Sequence, residues 1–144
     1  MGRLIVISNR VSPPRDAGGG SQGGLAMALA AALREHSGVW FGWSGRTTEA
    51  YTGQVGVQRV GGVTVATLDL EDQDVQEYYN GYANKTLWPL FHHRIDLTAY
   101  ERAYGEGYAR GNARFAETVL PLIEPGAFVW VHDYHLIPLA QELR

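Results

Sequence analysis

The sequence predicts a three-layer α/β fold, with a largely buried sheet between helices, on three observations. Short β-branched or aromatic runs recur at residues 4–7, 39–43 and 127–131, the pattern of buried strands. Helical stretches separate them. A pair of β-rich runs, 55–60 and 63–68, is split by Gly61-Gly62, a hairpin signature. Strand, helix, strand, hairpin, helices, strand, helix is the order of an α/β layered domain.

Each element has its own signal. Residues 4–7 form the first strand, followed by Ser8, Asn9 and Arg10. Pro13, Pro14 and the glycine-rich stretch 18–24 make a long loop. Residues 24–35 are rich in alanine and leucine and predict a helix. Residues 39–43 predict a second strand ended by Ser44-Gly45. Residues 71–82 read as a polar helix, and the aromatic-rich 87–93 as a short helix or loop. A long helical pattern spans 97–119, with Pro121 near its end. Glu124-Pro125-Gly126 is a turn, 127–131 a buried strand, and 136–143 a final helix.

The chain has 144 residues, 45% of them hydrophobic and 19% charged, with a net charge of -3. That is one folded domain, 1–144, with no internal boundary. No basic field is present to hold a nucleic-acid backbone. Lys85 is the only lysine. There are no cysteines, which removes disulfides and thiolate metal sites and permits a reducing compartment. The apolar run after Arg3 is too short for a signal peptide or a membrane span. The expectation is a cytoplasmic protein without membrane association.

Gly18, Gly20 and Gly23 match the G-x-G-x-x-G pattern, but about ten residues separate them from the first strand. No acidic residue stands at the tip of the second strand, as a dinucleotide site requires. Two readings remain. Backbone amides beside the N-terminus of a helix over 24–35 can hold an anion, or the glycines form an ordinary surface loop. Arg10, just past the first strand, stands where open α/β sheets bind ligands and can fork onto a phosphate; it can equally be a solvated surface arginine.

Trp40, Trp43, Tyr78, Tyr79, Tyr82 and Trp88 fall within fifty residues. They suit either a sugar pocket, in which rings stack on apolar sugar faces, or a hydrophobic core. Adjacent Tyr78 and Tyr79 cannot share one helical side. His132-Asp133-Tyr134-His135 follows the 127–131 strand at its C-terminal tip. Asp133 can accept a hydrogen bond from a sugar hydroxyl, act as a base, or cap the following helix. The two histidines are three apart with no Glu between them, which argues against a zinc site.

Taken together the motifs resemble the trehalose-6-phosphate synthase family. They are 4–10 (Leu-Ile-Val-Ile-Ser-Asn-Arg), Gly23-Gly24-Leu25, 40–45 (Trp-Phe-Gly-Trp-Ser-Gly), Glu77-Tyr78-Tyr79-Asn80, Leu87-Trp88-Pro89 with Phe91-His92, and 131–136 (Val-His-Asp-Tyr-His-Leu). Their order and spacing fit across essentially the whole chain. The resemblance implies a Rossmann-like lobe of a GT-B glycosyltransferase. It implies transfer of glucose, with retention, from a nucleotide sugar (UDP-glucose foremost) to glucose 6-phosphate, without cofactor or metal. It assigns the acceptor site to Arg10, Tyr79, Trp88 and Asp133, with Trp40 beside them, and Gly23 and Gly24 to the donor's phosphates. Arg10 would hold the acceptor phosphate, Tyr79 and Trp88 would shape the sugar pocket, and Asp133 would bind a hydroxyl in the reacting complex. The family runs to several hundred residues, so the expectation is a truncated lobe, inactive alone, with an exposed sheet edge that favours self-association. A homo-oligomer is compatible with this. A pseudo-glycosyltransferase acting on other sugars or cyclitols, and a non-catalytic sugar-phosphate-binding module, are the alternative readings.

Overall fold

A computed structural model describes residues 2–11 and 24–144. The glycine stretch from Gly18 to Gly23 lies outside them, so the expectation for Gly23 falls there; Gly24 opens the first helix. The elements run β1 (Leu4–Arg10), α1 (Gly24–Glu35), β2 (Val39–Thr48), β3 (Val55–Val60), β4 (Val63–Glu71), α2 (Asp72–Asp74), a π-helix (Val75–Leu87), α3 (Trp88–Phe91), α4 (Arg102–Val119), β5 (Phe128–Val131) and α5 (Leu139–Glu142), with short 3₁₀ turns between the later ones. The sheet order is β3-β4-β2-β1-β5. All neighbours are parallel except the β3–β4 hairpin. Gly61 and Gly62 both have positive φ in its two-residue turn, which glycine adopts without a Cβ clash.

Alternation along the strands builds two cores. Val6, Trp40, Val63 and Val65 face α1, packing with Leu29, Ala30 and Leu33. Ile5, Ile7, Phe41, Trp43, Leu68 and Leu70 face the opposite layer, with Tyr78, Phe115 and Val119. The expected three layers are present. The second layer is the π-helix crossed by α4. The two approach closely at Gly111, where an added Cβ would stand 2.9 Å from Tyr78 Cγ.

Several expectations are corrected. The 127–131 strand was expected to be buried, but β5 is an edge strand among the described residues. Phe128 and Trp130 are 67% and 43% exposed, because α1 packs over Val6, Trp40, Val63 and Val65 and β5 contributes nothing to that cluster. β2 does not end at Ser44-Gly45. Its register with β4 shifts between Trp43 and Thr47, around Gly45 at φ +88°, and the strand resumes to Thr48. The helix expected over 97–119 starts only at Arg102. Ahead of it, Ala99 donates its N–H to the Lys85 carbonyl at 2.8 Å and Thr86 Oγ1 donates to the Ala99 carbonyl, which holds that segment across the end of the π-helix. The helix expected at 71–82 and the short helix or loop expected at 87–93 form one continuous helical path. Trp88 N–H donates to the Ala83 carbonyl, five residues back, the spacing of a π-helix and one often found at functional sites. The final helix is split at Pro138, which has no N–H to continue the turn.

No helix among the described residues is long and apolar enough to cross a membrane.

Candidate acceptor-binding site

β1 lies between β2 and β5, so chain order reverses across it. The crevice at the carboxyl ends of β1 and β5 is the switch point where open α/β sheets bind ligands. Arg10 ends β1 and is exposed. Asp133 follows β5.

A band of aromatic rings joins these two ends. The Arg10 guanidinium lies 5.9 Å from the Trp43 ring centre. It also lies against Gly45, where a Cβ would stand 2.7 to 2.9 Å from the guanidinium atoms. Trp43 is 6.0 Å from Tyr79, and Tyr79 stacks on His135 at 5.5 Å. His135 stacks on Tyr134 at 4.1 Å, and Tyr134 meets Trp88 at 5.5 Å. Trp88 in turn lies 3.9 Å from His92, whose Nδ1 is 2.7 Å from the Trp88 carbonyl. Of the expected site residues, Arg10, Tyr79 and Trp88 thus lie along one band, and Asp133 adjoins it through Tyr134. Trp88 is 49% exposed, so part of its side chain stays accessible to a ligand.

Trp40 is not brought to this band. It sits 4% exposed in the α1-side core, and its Nε1–H donates to Ser8 Oγ at 2.8 Å. The reason is strand geometry: Trp40 and Trp43 are three residues apart on β2, so they point to opposite faces. Trp43 is the indole on the site's side. The sequence reading grouped Trp43 with the aromatic residues that suit a sugar pocket but placed Trp40 at the acceptor site, although the odd spacing already required that only one of the two could face it. Tyr134, His135 and His92 were missed as members of the band. The Tyr78/Tyr79 reading resolves as helical spacing demands. Tyr78 is fully buried and donates to Asn9 Oδ1 at 2.7 Å, while Tyr79 turns to the band.

The turn after β5 is tied down. Asp133 has φ +77° and ψ 169°, a region nearly confined to glycine and typical of strained functional positions. Its side chain accepts from the Tyr134 N–H at 2.8 Å, the helix-capping role expected as one alternative. The carboxylate remains exposed. α4 holds the turn from behind: Tyr108 OH donates to the Tyr134 carbonyl at 2.7 Å, and Asn112 Nδ2 to the His135 carbonyl at 3.2 Å. Tyr134 OH reaches Asn84 Oδ1 at 3.1 Å.

Ionisation suits neutral hydrogen-bonding surfaces flanked by charge. Burial pushes the Tyr108 phenol up to about 12. Burial and then the neighbouring Asp133 carboxylate raise Tyr134, so both phenols stay protonated donors. Burial lowers the His135 imidazole against the opposing pull of Asp133, which favours the neutral ring. His135 Nδ1 is buried without a hydrogen-bond partner among the described residues. His132 turns elsewhere, with its ring 5.8 Å from Trp130. Among the described residues no three His, Cys, Asp or Glu side chains converge as metal ligands.

The glycosyltransferase family 20 profile matches residues 6–144. The trehalose-6-phosphate synthase of Citrobacter koseri is 48% identical over 144 residues, all of this chain and 30% of its own length. The structure of an α,α-trehalose-phosphate synthase (UDP-forming) from Burkholderia vietnamiensis superposes with a TM-score of 0.91 at 45% identity, covering 99% of this chain and 31% of that one. A Burkholderia xenovorans enzyme of the same description, in complex with glucose-6-phosphate, gives a TM-score of 0.86 at 49% identity, over 99% of this chain and 31% of the other. The chain spans about 30% of the length of the curated relatives it matches. It is a mixed α/β lobe that, by its profile match and its likeness to these synthases, belongs to glycosyltransferase family 20.

Proposed function

We propose that these residues build the glucose 6-phosphate side of a retaining glucosyltransferase that uses UDP-glucose and yields trehalose 6-phosphate. The observation that carries the reading is the aromatic band, with a guanidinium at one end and the Asp133 carboxylate adjoining it at Tyr134. A sugar phosphate presents that same polarity: an anion, then apolar ring faces, then hydroxyls. Arg10 forks onto the phosphate. Tyr79 and Trp88 lie against the ring faces. Asp133 accepts from a hydroxyl and holds it for the reaction. The glucose-6-phosphate complex of the Burkholderia xenovorans relative, and the UDP-forming description of both solved relatives, support this choice of substrates.

In the transfer, the bond from the donor's anomeric carbon to the leaving phosphate breaks. A bond to the acceptor oxygen forms on the same face, and the leaving phosphate takes the acceptor's proton. Positioning and electrostatics supply the rate, with no covalent group from the protein. Gly24, at the start of α1, and Gly23 are assigned to the donor's phosphates in this reading. These residues carry the acceptor side and, spanning about 30% of the length of the relatives they match, are expected to bind acceptor without turning over on their own. Residues 1–144 act as a single acceptor lobe of a cytoplasmic enzyme.

Calorimetric titration of the chain with glucose 6-phosphate tests this. Saturable binding is expected, weakened by Arg10→Ala and by Asp133→Asn, which keeps the cap oxygen and the side-chain shape while removing the charge. A folded chain that binds nothing, or binding that neither substitution alters, would sink the assignment.

A further inference from the structure

The tip of β1 is held by side chains as well as by the ladder. Its pairing with β2 is regular from Ile5 to Ile7, slips at residues 8 and 9 and resumes at Arg10, opposite Trp43, where the Val11 N–H donates to the Trp43 carbonyl at 3.2 Å. At the two slipped residues two buried donors act, one from each face of the sheet. On the α1 side, Trp40 Nε1–H donates to Ser8 Oγ at 2.8 Å, and the Ser8 hydroxyl donates to the Arg10 carbonyl at 3.0 Å. On the other side, Tyr78 OH donates to Asn9 Oδ1 at 2.7 Å. Ser8, Asn9, Trp40 and Tyr78 are all buried. Arg10 leaves this clamp into solvent and lies over Gly45 and Trp43.

A core layer can be filled by phenylalanine or leucine at no polar cost. A buried indole N–H or phenol O–H is unfavourable unless it is paired. Both donors here find their partners on the two residues that precede Arg10. We propose that Trp40 and Tyr78 are positioning residues for Arg10, fixing the point from which its guanidinium reaches the ligand. The inference rests on the reading of Arg10 as the acceptor-phosphate group. A fixed origin leaves only the side-chain torsions to be ordered on binding, so less freedom is lost when the guanidinium forks onto a phosphate. Trp40 thereby contributes to the site from the opposite face of the sheet, without touching ligand.

The test compares Trp40→Phe, Tyr78→Phe and Ser8→Ala with the unaltered chain, titrated with glucose 6-phosphate and with glucose. Trp40→Phe and Tyr78→Phe each remove one hydrogen bond and Ser8→Ala removes two, so affinity for glucose 6-phosphate should fall roughly 3- to 10-fold for the first two and at least as much for Ser8→Ala. Affinity for glucose, which has no phosphate for Arg10, should stay the same. An equal fall for both sugars marks general loosening and overturns the proposal, as does no fall for either. A second readout needs no ligand: ¹⁵N relaxation of the Arg10 backbone and Nε, whose order should drop in each variant. If the unaltered chain binds neither sugar, the acceptor reading fails and relaxation alone decides; unchanged Arg10 order then overturns the positioning role. Should Trp40→Phe not fold, Ser8→Ala breaks the same relay by removing a single oxygen.

Discussion

Asp74 is the residue whose loss should cost this fold most, for reasons that can be counted. It opens the helical path that carries Tyr79, and it is fully buried. It accepts from Arg110 Nε at 2.7 Å, from Arg114 Nη1, and from the Glu71 N–H at 3.2 Å. Two of the three donors are charged and come from α4, so the network fastens α4 to the π-helix. Asp74→Ala leaves both guanidiniums without their shared acceptor, and breaking a buried pair costs about 3–5 kcal/mol. Two observations favour the lower end. Arg110 and Arg114 are 31% and 18% exposed, so water reaches them. They also keep Glu77 at 2.7 Å and Glu71 at 3.5 Å. We expect a loss of about 3 kcal/mol, or roughly 9 °C in melting temperature for a chain of this size. Glu71→Gln is the control: its arginine contact is long, and a Gln oxygen can still accept from the Tyr51 N–H, so it should cost about 0.5 kcal/mol. Thermal and urea unfolding, with an unchanged urea slope, measure both. A melting-temperature drop under about 3 °C for Asp74→Ala, or equal drops for the two variants, would refute the network's role.

Two further expectations concern pH and the sheet edge. His135 has its folded pKa lowered by burial, so the unfolded chain binds its proton first as pH falls. The stability tied to its neutral form is complete above the ordinary histidine range. It is lost as pH falls through that range toward the lowered folded value, and His135→Gln should flatten this part of the stability–pH curve. An unaltered slope in the variant would remove His135 as its source. At the edge, Phe128 and Trp130 expose apolar surface beside β5 backbone that has no strand partner on that side among the described residues, which favours self-association. Phe128→Lys should shift sedimentation toward monomer, and a sharp, concentration-independent melt of a clean monomer by the unaltered chain would count against the idea.

The sequence was a good guide where one local rule governs. The β1 run follows from strand composition, the hairpin from two adjacent glycines in its turn, and the split between Tyr78 and Tyr79 from adjacent helical positions pointing apart. Legibility failed where a distant partner decides. The 97–119 pattern is helical throughout, yet its first residues are drawn straight by bonds to Lys85 and Thr86. The 127–131 run looks buried by composition, and its exposure depends on how far α1 reaches across the sheet. The π-helical winding has no composition signal at all.

The site divides along the same line. Chain ends of strands are local features, so Arg10 and Asp133 could be placed at one sheet edge from strand assignments alone. The ligand-facing role of an aromatic residue depends on which face of its element is free. Trp40 and Trp43 illustrate the difference, since a three-residue spacing in a strand forces one indole into each core. The indole turned away from the band is not thereby idle. Its N–H enters the only layer from which Ser8 can be reached, as Tyr78 enters the layer that reaches Asn9. A motif such as 40–45 can therefore couple two roles in one strand, with Trp43 forming part of the ligand-facing band and Trp40 bracing the neighbouring strand tip. Family resemblance by itself does not separate these roles; the sheet's two faces do.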